Sequence, residues 1–316
     1  MKKTLVALAV LASAGSAQAI ELYNQDKVTV NMTGDVEVVY LKDRVKDAEL
    51  TQEIQDADFG FDTRYQVNDD LQIGAFWEFS GDGGVADTGD VYMAFYSQSL
   101  GSIKFGKTAT ALDDAGIGSD YQFGISSFFQ NGTPFSGDEA IRYDLDKGTF
   151  YVSAAFLQDR NGNNGLGNDG TFFDAKAGFR VADFDFTGFV GKASFKEEGA
   201  AFDGQEETLY ALEARWGGVE NLNLAAGWYR VDGDTAGADV ASDTFGISAD
   251  YTFNAIKFAA GYSNSSNDVA NSEDLNSWYL NAGYSLAPST TAYVEVGGDD
   301  ATDNELGYAI GLKAEF

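Results

Sequence analysis

Hydrophobic and polar residues alternate with period two along most of the chain from residue 28 onward. Val28, Val30, Met32, Val36, Val38 and Tyr40 share one face of an extended segment, and Thr29, Asn31, Thr33, Asp35 and Glu37 lie between them. Ala57, Phe59, Phe61 and Tyr65 oppose Asp58, Gly60, Asp62 and Arg64 in the next run. At the far end Leu306, Tyr308, Ile310, Leu312, Ala314 and Phe316 oppose Gly307, Ala309, Gly311, Lys313 and Glu315. This is the repeat of a strand with one apolar and one polar face. It predicts sixteen strands, near 28–41, 52–66, 71–80, 90–97, 101–106, 139–145, 149–158, 171–181, 184–195, 207–216, 221–231, 243–252, 255–264, 276–286, 289–297 and 304–316.

The connections fall into two alternating classes. Even strands end in tight turns such as Asn68-Asp69-Asp70, Asp146-Lys147-Gly148, Ala182-Asp183 and Ala287-Pro288. Odd strands end in long polar loops, the longest running from Lys107 to Asp138. A soluble sandwich has no reason to alternate in this way. A transmembrane barrel does, with short turns on the periplasmic side and long loops outside. Tyr40, Tyr65, Trp77, Phe79, Tyr143, Trp216, Trp228, Tyr251, Tyr262, Trp278 and Tyr284 fall toward strand ends on the apolar face, as interfacial aromatic girdles do. The expected fold is an all-β, sixteen-stranded antiparallel transmembrane barrel.

The first nineteen residues read differently. Lys2 and Lys3 precede a short apolar run, Leu5 to Leu11, and Ala17-Gln18-Ala19 is a small-x-small cleavage site. The run is too short to span a bilayer, so 1–19 is read as a cleaved signal peptide and 20–316 as one barrel domain.

Composition narrows the chemistry. There is no cysteine and no histidine, which excludes a disulfide framework, thiol catalysis, a Ser-His pair and imidazole metal sites. Acidic residues number 50 against 20 basic, a balance that opposes nucleic-acid binding. Aromatic residues make up 14%, so the acidity is not that of a disordered chain. The glycine-rich stretch from Asn161 to Gly170 lacks the period of calcium-binding repeats. No cofactor, metal site or catalytic residue is expected, and the chain is not expected to be an enzyme.

Three stretches carry a resemblance. The segment Ile20-Glu21-Leu22-Tyr23-Asn24, the run Asp58-Phe59-Gly60-Phe61-Asp62 and the closing Leu312-Lys313-Ala314-Glu315-Phe316 resemble the Gram-negative outer-membrane general porins. Among these they are most similar to the porin-like proteins H and L of Vibrio-type marine bacteria. The resemblance covers the chain from residue 20 and is strongest at Phe316, which stands where the family carries its assembly signal. It implies a multi-pass protein of the cell outer membrane, a homotrimer in contact with outer-membrane lipid and lipopolysaccharide. It also implies insertion by the barrel assembly machinery and passive diffusion of small hydrophilic solutes and ions. The third long loop is then expected to fold into the barrel and narrow the pore, bringing in Asp113, Asp114, Asp120 and Gln122. At the family's basic ladder positions this sequence places Asp35, Asp58 and Tyr92. Arg142 matches the ladder, and Arg64 is offset along its strand. Lys176 and Arg180 are further basic candidates for the lumen. A wall and loop of like negative sign would hold cations in a narrow aqueous channel. The other reading is a secreted soluble acidic β-protein that binds glycan or calcium.

Overall fold

A computed structural model describes residues 19–84, 87–196, 203–235 and 238–316. The expected signal peptide lies outside these residues except for Ala19. Among the described residues seventeen strands follow one another: β1 (Ile20–Gln25), β2 (Val28–Lys42), β3 (Thr51–Gln66), β4 (Leu71–Ser80), β5 (Asp87–Ser97), β6 (Gly101–Ala109), β7 (Ser136–Asp146), β8 (Phe150–Asp159) and β9 (Gly170–Val181), then β10 (Phe184–Ser194), β11 (Glu206–Val219), β12 (Leu222–Thr235), β13 (Ala238–Phe253), β14 (Ile256–Asn267), β15 (Leu275–Ala287), β16 (Thr290–Asp299) and β17 (Gly307–Glu315).

From β2 onward each strand pairs antiparallel with the next, and β17 returns to β2 with Leu312 opposite Val38. The sheet therefore closes as a barrel of sixteen staves. Closure has a physical cause: an open edge in hydrocarbon would leave a row of backbone groups unpaired at several kcal/mol each.

The alternation reading began at residue 28 and passed over β1. Glu21, Asn24 and Gln25 give that segment no continuous apolar stripe. It becomes a strand because β2 is longer than its partner β17. β1 occupies the remaining edge, with Tyr23 opposite Val30. Phe316 sits at the junction, where its N–H and C=O both bond Gly34 at 2.8 Å. The closing strand starts at Gly307, later than the expected 304, because Asn304 is held in a bridge to Val45.

The two faces separate as the pattern requires. Trp77, Phe245, Ile247, Leu280 and Ile310 point outward and are more than half exposed. Asp58, Asp62 and Arg64 alternate with outward Phe59 and Tyr65 and point inward. Most of the apolar residues that are buried lie inside the barrel in two clusters. One gathers Leu112, Phe128, Leu157, Phe172, Leu209 and Tyr229, and the other gathers Val39, Phe123, Tyr279 and Tyr293. Both contain residues from the segment between β6 and β7, so that segment is the barrel's internal core.

Candidate functional site

Residues 110–135 join β6 to β7 without crossing to a neighbouring loop; they turn into the lumen and follow its wall. A short 3-10 turn, Leu112–Asp114, starts the descent. Inward carboxylates then receive the loop's backbone donors one after another. Asp174 on β9 accepts from Leu112 N–H at 2.7 Å, and Glu213 on β11 accepts from Gly116 N–H at 2.6 Å. Glu295 on β16 accepts from the N–H groups of Tyr121, Gln122 and Phe123 at 2.6, 2.9 and 2.6 Å. On the return, Glu207 on β11 accepts from Gly132 and Thr133. An irregular segment needs these acceptors, because its own backbone donors have no strand partner.

Apolar contacts reinforce the brackets. Tyr121 stacks on Tyr293 with ring centroids 4.0 Å apart. Phe123 rests on the backbone of β16 and β17 at Gly297 and Gly307, which face each other in the sheet. A Cβ on Gly297 would come within 2.4 Å of Phe123, so only glycine admits the ring there. Wall hydroxyls complete the attachment: Tyr279 accepts from Ser119 N–H at 2.7 Å, and Ser248 donates to the carbonyl of Ile117.

The expected site residues fall in several different places. Asp113 and Asp114 sit at the 3-10 turn. Asp114 is bound by Arg142 and by Lys176, each at 2.5 Å. Arg142 also holds Asp144 at 2.9 Å and donates to the carbonyl of Thr110 at 2.6 Å. Arg142, Lys176 and Asp114 are thus one charge cluster at the loop's base. Both Asp113 and Asp120 are exposed to the lumen, yet the surrounding barrel partly desolvates them, and this, with the neighbouring Asp114 at Asp113, pushes both carboxyls above their ordinary range. Gln122 is half-buried and engaged by the wall. Its amide donates to Glu37 at 2.8 Å and to Tyr293 at 3.0 Å, so it joins the loop's far end to β2 and β16. Asp35 lies opposite Asp58 in the sheet and 3.6 Å from Lys313. Arg64 is paired with Asp62 at 2.7 Å and stacks over Tyr96. Arg180 is near the short turns, bound to Asp146 at 2.9 Å and Asp185 at 3.2 Å.

The period-two alternation that puts Glu37 on the inner face does the same for Asp174, Glu213 and Glu295, but it has no means of assigning them to the loop. It passed over Glu207 and Asp90. Asp90 on β5 donates its N–H to the Glu78 carboxylate on β4, 2.9 Å away. Glu78 lies close to Asp58, Asp90 and Asp35, and Asp113 lies close to Asp90 from the loop side. The four wall carboxylates lie on β2 to β5, and of these Asp90 is the one that acts on Asp113 of the loop. The signal for Asp90 was available in the alternation, since inward Tyr92 fixes the face of residue 90.

A closed barrel with an apolar outer surface, short turns at one end and a long loop packed across its lumen is the architecture of an outer-membrane channel. A sequence model of the Gram-negative porin family matches residues 4–304. The chain belongs to this family. It is 28% identical to the porin-like protein H of Photobacterium profundum, with all of both chains covered. Two solved structures share the fold. OmpF of Salmonella typhi, in complex with daunomycin, superposes with a TM-score of 0.80 at 15% identity, covering 94% of this chain and all of that one. The trimer form of OmpT from Vibrio cholerae superposes at 0.73 with 19% identity, covering 92% of this chain and all of that one. This porin is therefore a multi-pass protein of the outer membrane, and its relatives are channels rather than enzymes. The outward apolar band does not suit a secreted soluble β-protein.

Proposed function

We propose that this porin works as a trimer and conducts small hydrophilic solutes passively with a preference for cations. The trimer rests on the family and on the OmpT structure, which is a trimer form. Residues 1–19 act as the signal peptide in this reading, and outer-membrane lipid and lipopolysaccharide surround the outer apolar band.

The cation preference rests on one observation, which is where compensation is missing. Most inward carboxylates are already engaged: Asp174, Glu213, Glu295 and Glu207 by loop N–H groups, and Asp114, Asp144, Asp62 and Asp185 by arginine or lysine. Among the described residues, no lysine or arginine forms an ion pair with Asp58, Glu78, Asp90 or Asp113, although Lys104 and Lys107 act on Asp90, and Arg142 on Asp90 and Asp113, from farther off. The first three lie on β3, β4 and β5, and Asp113 approaches them from the loop. Like charges on adjacent strands repel and cost stability. In a narrow aqueous passage the same charges concentrate counter-ions.

The test is the zero-current potential of reconstituted channels across a KCl gradient. The native protein should give the cation-selective sign. Replacing Asp58 and Glu78 by Asn and Gln should reduce that preference even near 1 M salt, where the Debye length of about 3 Å screens charges at the mouth but not at the narrowest point. Replacing Asp144, which is already paired with Arg142, should change it far less. An anion-selective native channel would overturn the charge reading and leave the barrel intact.

A further inference from the structure

On the short-turn side of the loop lies a cavity of about 620 Å³, bounded by β3–β9. Two similar pairs of side chains flank it. On one side the Arg64 guanidinium lies over the Tyr96 ring, 4.0 Å from its centroid. On the other the Arg180 guanidinium lies over the Tyr151 ring at 4.4 Å. Each arginine is already matched by carboxylates. Arg64 uses Nε and Nη2 on Asp62. Arg180 uses Nε on Asp185 and Nη1 on Asp146. Nη1 of Arg64 and Nη2 of Arg180 are left with no protein acceptor among the described residues. The cavity wall between the pairs adds Gln72 and Ser102.

We propose that this vestibule is a binding subsite for neutral polyhydroxylated solutes of one or two sugar rings. The inference rests on the channel reading for access to the cavity, but not for the binding itself. An anionic solute gains little here, because both arginines already face carboxylates and Asp69, Asp70, Asp144 and Asp146 also line the cavity. A pair of neighbouring hydroxyls leaves these ion pairs in place. One oxygen accepts from a free guanidinium N–H, and the other hydroxyl donates to a spare carboxylate lone pair, each bond strengthened by the partner's charge. Each tyrosine ring is covered by its arginine on one side and lies against a wall glycine, Gly74 or Gly178, so the rings hold the guanidinium groups in place, while Gln72 and Ser102 supply further donors and acceptors to the solute. The cavity volume falls in the range of small-molecule sites, and its lining is mostly polar and charged, which suits a solute that binds through hydroxyl groups. Its position between the constriction and the short-turn mouth would give an arriving solute a resting place on the path.

Maltose is the probe, with sodium gluconate as its charged counterpart. In a planar bilayer, maltose added on the short-turn side should reduce the open-channel current saturably. Titration calorimetry of the detergent-solubilised protein should show binding over the same concentrations. Replacing Arg64 and Arg180 together by Gln should raise the half-blocking concentration about tenfold. Gln72→Ala, which breaks no ion pair, should raise it less. Circular dichroism of the variants checks that the barrel has formed. A current decrease that only follows solution viscosity, a calorimetric trace without binding, or unchanged block in both variants overturns the proposal. So does tighter binding of gluconate than of maltose. Calorimetric binding by a protein that passes no current would support the subsite and sink the channel reading, so the two fail separately.

Discussion

Tyr121 lies flat on Tyr293, with ring centroids 4.0 Å apart and planes within 4° of each other. The first residue belongs to the inward loop and the second to β16, so this stack fastens the loop's far end to the wall. Glu295, two residues along β16 on the same inward face, takes the N–H groups of Tyr121, Gln122 and Phe123, and Asn281 donates to it at 2.9 Å. Glu295 is only 1% exposed. Tyr293 in turn bonds Glu37 on β2. The loop's position is thus set by a few buried acceptors rather than by its own backbone.

Replacing Glu295 by Ala should free the loop. Three backbone donors and Asn281 lose a charged acceptor, a loss of about 2–4 kcal/mol of loop attachment. Single-channel recording should show larger and noisier conductance with the barrel still formed. Conductance and noise matching the native channel would mean that the apolar clusters alone hold the loop.

Removal of Phe316 should impair assembly. Its backbone exchanges two 2.8 Å bonds with Gly34, and its ring covers Gly34 so closely that a Cβ there would lie 2.9 Å from it. Gly34→Val should therefore show the same defect from the other side of the seam. Both variants should reach the outer membrane at reduced yield in fractionated cells. Normal yield from either one would separate the seam from assembly.

Arg142→Ala should change selectivity through Asp114. Arg142 and Lys176 share the Asp114 carboxylate, and Arg142 also ties the loop's base through the Thr110 carbonyl. Loss of the guanidinium removes one positive charge from the cluster, leaving Asp114 with Lys176 alone and Asp144 without a basic partner. The zero-current potential should move further toward the cation side, and the loop's base should loosen. An unchanged potential would place Arg142 away from the ion path.

Cation preference should fall on acidification, starting above the pH at which ordinary carboxylates titrate. Partial desolvation by the surrounding barrel holds the Asp113 and Asp120 carboxyls above their usual range, with Asp114 adding repulsion at Asp113. As pH falls through these raised values, each carboxylate takes up a proton and its negative charge is lost. The stability sign runs the same way. A carboxyl whose folded pKa lies above its unfolded one is costly to ionise in the fold, so the cost is present above the folded pKa and gone below the unfolded one. Potentials measured in steps from neutral to acid pH should show the early fall, and Asp113→Asn should remove part of it. A flat response down to the ordinary carboxylate range would place these groups outside the ion path.

Alternation alone placed nearly every strand and the direction of its side chains. Successive residues on a strand must point to opposite faces, so Phe59 and Asp58 are separated whatever else the chain does. The short and long connections showed which ends of the strands lie together, and a closed sheet followed from the need to pair every backbone group in a membrane. The residues of β1 lacked that pattern, and only the free edge of β2 makes them a strand. The duties of the inward carboxylates were not legible either. Asp174, Glu213, Glu295 and Glu78 have the same local pattern. The first three became loop acceptors, and Glu78 stayed without a basic partner, because residues 110–135 run along one side of the lumen and not the other. Such choices depend on contacts between residues distant along the chain, as Tyr121 is from Glu295. Local periodicity carries no information about them, and the tertiary structure alone decides which charges are used for holding the loop and which remain to meet an ion.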